Sequence, residues 1–78
     1  MLQKGGGVMP LDRDFVNKFG DSVVTVWVSS DYMSATCKVS GKTHKFKGET
    51  ALSDANRCAD NALINMIHVQ GKTIVQVA

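Results

Sequence analysis

Little in this sequence is extreme, and what it lacks excludes more than any one motif assigns. The 78 residues include two cysteines, one proline, one tryptophan and one tyrosine. Cys37, Cys58, His44 and His68 form no close pair of the C-x2-C or H-x3-H kind, so there is no rigid half-site for a structural zinc ion. No apolar run approaches the ~20 residues that cross a bilayer, and there is no apolar leader of signal-peptide length. The expected setting is therefore the cytoplasm, with no membrane partner, and a reducing compartment favours free thiols at Cys37 and Cys58. A disulfide between them stays open as an alternative, because both fall on predicted inward faces. Nine basic against seven acidic residues leave a net charge of +2, far from the balance of a dedicated nucleic-acid binder, so charge alone names no partner.

Reaction chemistry is also absent from the pattern. The glycine run at 5–7 precedes no strand-to-helix turn and lacks the Gly-Lys-Ser/Thr of a phosphate loop. A Cys-His nucleophile needs an exposed thiol, whereas the apolar surroundings predicted for both cysteines disfavour the thiolate. We expect no catalytic residues, no metal and no cofactor, and hence a non-enzyme.

What is present begins with one strong helical signal. From Thr50 to His68, apolar residues recur at Leu52, Ala55, Cys58/Ala59, Ala62/Leu63 and Met66/Ile67, while Asp54, Arg57, Asp60, Asn61 and Asn65 take the other side. The apolar face is narrow and rich in small residues, so its partner lies close to the helix backbone, as a sheet does under a single helix. Pro10, the four-residue recurrence of Leu11, Phe15 and Phe19, and Gly20 as a left-handed stop predict a short helix over Pro10 to Phe19. Val23 to Ser29 and Tyr32 to Val39 read as antiparallel strands, Val39 to Lys42 as a hairpin turn, Thr43 to Lys47 as a third strand, and Thr73 to Val77 as a fourth. The expected organisation is a flexible leader at 1–9 and a single α+β domain at 10–78. In that domain a short N-terminal helix precedes a three-stranded antiparallel meander under one long amphipathic helix, with a short C-terminal strand.

Alternate side chains of a strand point to opposite faces, which sorts the meander. Val24, Val26, Val28, Met33, Ala35, Cys37, Val39 and Phe46 face the helix. Thr25, Trp27, Tyr32, Ser34, Thr36, Lys38, Lys45 and Lys47 face away. Aromatic side chains interleaved with lysines and hydroxyls can contact an acidic protein patch or a polyanion, so Trp27, Tyr32, Lys38, Lys45 and Lys47 are the candidate partner-binding residues. The alternative reading is a plain solvated face, usual for an antiparallel sheet.

From Ala35 to Ile67 the sequence ATCKVSGKTHKFKGETALSDANRCADNALINMI resembles the second half of the double-stranded RNA-binding domain. It shares a hairpin with a glycine turn at Gly41, a glycine leaving the third strand at Gly48, and Ala55, Ala59, Leu63 and Ile64 at the small and apolar positions of the last helix. The resemblance implies an α-β-β-β-α order. It also implies a lysine cluster opening the last helix to grip phosphates, but the matching positions are Leu52, Ser53 and Asn56, so that grip is missing. In size and architecture the chain also resembles small bacteriophage accessory proteins, including anti-CRISPR inhibitors that occlude a surface of a defence complex.

The expected function is a small binding protein that docks on a protein or ribonucleoprotein and occludes it. Direct binding of double-stranded RNA or DNA through Lys38, Lys45, Lys47 and Arg57 is the alternative. A homodimer built by pairing the Thr73 to Val77 strand with its twin is a third reading.

Overall fold

Four strands, one helix and a closing strand follow one another through residues 10–78, the part of the chain that the computed structural model describes. The expected leader at 1–9 lies outside the described residues. The strands are β1 (Leu11–Asn17), β2 (Ser22–Val28), β3 (Ser34–Val39) and β4 (Lys42–Lys47). Helix α1 (Ala51–Ile64) runs into a wider π-helical turn at Asn65–Val69, and β5 (Ile74–Gln76) closes the chain. All five strands pair antiparallel in one sheet of order β4-β3-β2-β1-β5, which leaves β4 and β5 as its edges.

The α+β class and the long helix are as expected, but the N-terminal helix is not. Residues 11–17 form β1, so the α-β-β-β-α order implied by the resemblance to the double-stranded RNA-binding domain does not match. Leu11, Phe15 and Phe19 recur at helical spacing, yet Phe15 pairs with Val24 on one side and Gln76 on the other, and it is buried while Leu11 and Phe19 are exposed. Long-range pairing overrides a short local period because a helix of about ten residues is not stable by itself. Gly20 does adopt the left-handed conformation (φ 84°), but it closes a hairpin instead of a helix. The Asn17 carboxamide oxygen accepts the amides of Phe19 and Asp21 at 2.9 and 3.0 Å, and the Gly20 amide donates to the Asn17 carbonyl. An asparagine that ties its own turn in this way is a hairpin signal.

The expected turn between β3 and β4 is present in its tightest form. Val39 pairs with Lys42, leaving Ser40 (φ 49°) and Gly41 (φ 87°) as a two-residue loop with both residues in the left-handed region, the turn whose twist suits a hairpin.

Helix α1 lies over β2, β3 and β4. It buries Ala51, Ala55, Ala59 and Leu63 at strict four-residue spacing, and Met66 extends the row into the π-helical turn. Three alanines in that row bring the helix backbone down onto Val24, Val26 and Cys37, each with no exposed surface. Val28, Ala35 and Phe15 complete the core, with Phe46, Val39, Leu52, Cys58 and Ile74 packed around it. Met33 departs from the expected inward set. It precedes β3 in a turn and is exposed.

Arg13 fastens the helix to β1. Its guanidinium donates to the Asn56 side-chain oxygen at 3.0 Å and reaches Asp60 at 3.4 Å, and it stacks over the Phe15 ring at 4.9 Å. At the far end Gly71 (φ 70°) turns the chain out of the π-helical turn, where the Lys72 amide closes onto the Met66 carbonyl, and this delivers Ile74 to the core beside β1.

Candidate functional site: the open sheet face

The core occupies one side of the sheet, so register alone assigns what the other side presents. Directly paired residues of antiparallel strands share a face. One row across that open face is Leu11, Trp27, Thr36 and Lys45, the next is Asp14, Thr25, Lys38 and Thr43, and Ser34 stands opposite Lys47. Trp27, Lys38, Lys45 and Lys47 are thus brought to one surface, as the strand periods require. The only α-helix among the described residues lies on the other side.

Tyr32 is not on a strand of this face as expected. It belongs to the β2–β3 turn, with φ 61° and 59% of its surface exposed. The turn is held by Asp31, whose carboxylate accepts the Ser29 hydroxyl at 2.6 Å and the Met33 amide at 3.0 Å, while the Tyr32 amide donates to the Ser29 carbonyl at 2.9 Å. Those two donors, the Ser29 hydroxyl first, favour the charged carboxylate and hold its pKa below the ordinary aspartate value. Tyr32 therefore stands at the end of the sheet on a structured turn.

Arg57 is not brought to the lysines. It projects from α1 with 72% of its side chain exposed, 3.9 Å from Asp54, on the opposite side of the sheet. The four cations named for direct nucleic-acid binding do not form one surface.

The open face also contains residues that sequence reasoning assigned elsewhere, because β1 and the β1–β5 pairing were not foreseen. Asp14 is the most consequential. Its carboxylate accepts the Thr25 hydroxyl at 3.0 Å and the Ser22 hydroxyl at 3.3 Å, and Thr25 is buried despite pointing away from the helix. These residues, with Trp27 and Lys38, line a shallow hollow of about 280 Å³. Val75 pairs with Val16 on this side, and Val77 follows it at the alternate position, both more than half exposed. The face is therefore graded: apolar on β5 and on β1 around the single carboxylate of Asp14, aromatic at Trp27 in the middle, basic on β3 and β4.

No described helix is long and apolar enough to cross a membrane. Among the described residues no group of three or more His, Cys, Asp or Glu side chains could hold a metal ion. Compared with known proteins, the chain matches no protein-family model, no curated protein and no solved structure.

Proposed function

We propose that this protein is a non-enzymatic binding protein that docks its open sheet face onto an acidic surface of a protein or ribonucleoprotein and works by covering it. An inhibitor of a defence complex, as a phage accessory protein would be, acts in this way. The observation that supports the reading is the graded face, which no described helix covers, with Trp27 at its middle and Lys38, Lys45 and Lys47 on one flank. A buried aromatic anchor surrounded by charge is the composition that dominates binding hot spots.

Area bears on which residues take part. Four strands of six or seven residues and a fifth of three, at about 4.8 Å spacing, give a face of roughly 450 Å² in projection. A standard interface buries about 800 Å² on each partner, so the docked surface extends past the strands and takes in Tyr32 on its turn. Asp14 favours a protein over a polyphosphate as the main contact. A carboxylate within the face repels phosphate but can meet a basic side chain of a protein, and Arg57, the further cation a nucleic acid would use, lies on the other side.

The test is a pull-down from host lysate, with and without nuclease, using wild type, K38E/K45E/K47E and R57E. The reading expects a partner that survives nuclease, is retained by R57E and is lost by the triple variant at unchanged circular dichroism. Retention by the folded triple variant would show that another surface binds. Loss on nuclease treatment, with a steep salt dependence of binding to double-stranded RNA or DNA, would assign the face to nucleic acid.

A further inference from the structure

The side of the sheet beneath α1 holds a chemical feature that docking does not use. Cys37, on β3, is fully buried, with Val26 and His44 as its directly paired neighbours. Cys58, on α1, is half-buried against the same core, and its thiol is in hydrogen-bonding contact with that of Cys37. Cys58 also lines a second, open hollow of about 390 Å³ between β4 and α1, together with Phe46, Asp54, Arg57 and Asn61. One sulfur thus opens toward solvent and the other waits directly behind it. Thiol–disulfide exchange proceeds by attack of one sulfur at a time through a mixed disulfide, and it needs one accessible sulfur with a second in reach.

We propose that Cys58 and Cys37 form a reversible thiol–disulfide site whose oxidant is a small disulfide of the glutathione class, entering through the hollow beside Arg57. In the first step the Cys58 sulfur gives up its proton and attacks one sulfur of glutathione disulfide. The bond from Cys58 to glutathione forms, the glutathione S–S bond breaks, and one glutathione leaves as thiolate and takes a proton. In the second step Cys37 loses its proton and attacks the Cys58 sulfur. The bond between Cys37 and Cys58 forms, the mixed disulfide breaks, and the second glutathione leaves and is protonated. Two protein thiols are oxidised, and one glutathione disulfide is reduced to two glutathiones.

The environment of Cys37 fits the order of these steps. Burial pushes its thiol up to about 12, with charge on Cys58 the second contribution. While Cys58 is free, Cys37 holds its proton. Burial is the larger cause and persists when Cys58 is capped, so loss of the Cys37 proton makes the second step the slow one and the Cys58 adduct accumulates before it. The resulting bond ties the sheet to the helix, so the oxidised protein is expected to melt about 10 °C higher than the reduced protein.

The test follows the full chain in glutathione buffers of graded ratio, with acid quench, N-ethylmaleimide trapping, intact mass and non-reducing peptide mapping. The reduced, folded protein should be alkylated at Cys58 at least tenfold faster than at Cys37. Glutathione disulfide should give a transient adduct on Cys58, and then a monomer lighter by two hydrogens in which the two cysteine peptides are linked. C37A should stop at the Cys58 adduct. Should C37A fail to fold, the wild-type labelling order and peptide map still decide. Faster labelling of Cys37, a link formed only in denaturant, or a dimer joined through Cys58 would overturn the proposal.

Discussion

Which side of α1 meets the sheet depends on its rotational phase, and two adjacent residues measure that phase. Leu63 is 9% exposed and closes the row Ala51, Ala55, Ala59, Leu63, whereas Ile64, the next residue, is 55% exposed. Truncating a buried leucine to alanine costs about 2–5 kcal/mol, depending on how far the site collapses. Leu63 lies at the end of α1, where the chain passes into the wider π-helical turn and can relax, so the low end, about 2–3 kcal/mol, is expected for L63A. A domain of this length has a total stability of roughly 4–10 kcal/mol, so the loss is about a fifth of it or more. It corresponds to a fall in Tm of roughly 10–20 °C. I64A should stay within about 0.5 kcal/mol of wild type. Urea unfolding followed by far-ultraviolet circular dichroism compares them directly, with the m-value expected to be the same in all three proteins. If I64A were as damaging as L63A, the helix would be turned by about 100° from the phase described. The row of alanines assigned to the core would then fall with it.

Three further outcomes test other parts of the structure. Gly41 carries φ 87° with open space where a Cβ would sit, so G41A should cost about 1–2 kcal/mol through backbone strain alone, while S40N, a residue that tolerates the left-handed region better, should raise Tm. In double-mutant cycles Arg13 should couple more strongly to Asn56 than to Asp60, because the first contact is shorter and part-buried and the second is solvent-screened. Coupling to Asp60 should stay below about 1 kcal/mol, and the reverse ranking would place the clamp wrongly. Asp31 has its folded pKa lowered, so its contribution to stability is present above the unfolded aspartate value and is lost as pH falls through the folded one. A side-chain NMR titration should give a midpoint below that of an unfolded peptide, and S29A should move it upward.

The parts of this fold that could be read directly are those in which local pattern and tertiary role coincide. Thr50 to His68 is long enough for its period to be unambiguous, and all but one of its buried positions fall on the predicted face. Ala51, just before the predicted row, is the exception, and at the far edge of that face Ile67 is exposed. The alternation in Val24 to Val28 and Ala35 to Val39 identified the core side of both strands, and the glycine at 41 marked the hairpin. Trp27, Lys38, Lys45 and Lys47 followed from the same parity.

Residues 11–20 could not be read in that way. The side chains of this segment fit a helix of three apolar positions about as well as they fit a bulged strand, and the choice was made by partners far away in the chain, Val24 to Trp27 on one side and Ile74 to Gln76 on the other. Asp14, Val75 and Val77 join the open face only through those pairings, and Arg57 is separated from the lysines only because the sheet lies between them. The meeting of the Cys37 and Cys58 thiols is of the same kind, since it depends on how deep a row of alanines lets the helix sit. Periodicity along the chain thus determined which side of each long element is apolar, because that property is carried by neighbours a few residues apart. Which elements lie side by side, and so which charges, aromatics and sulfurs share a surface, was decided only by packing, because cross-strand pairing and helix docking join residues that no local pattern connects.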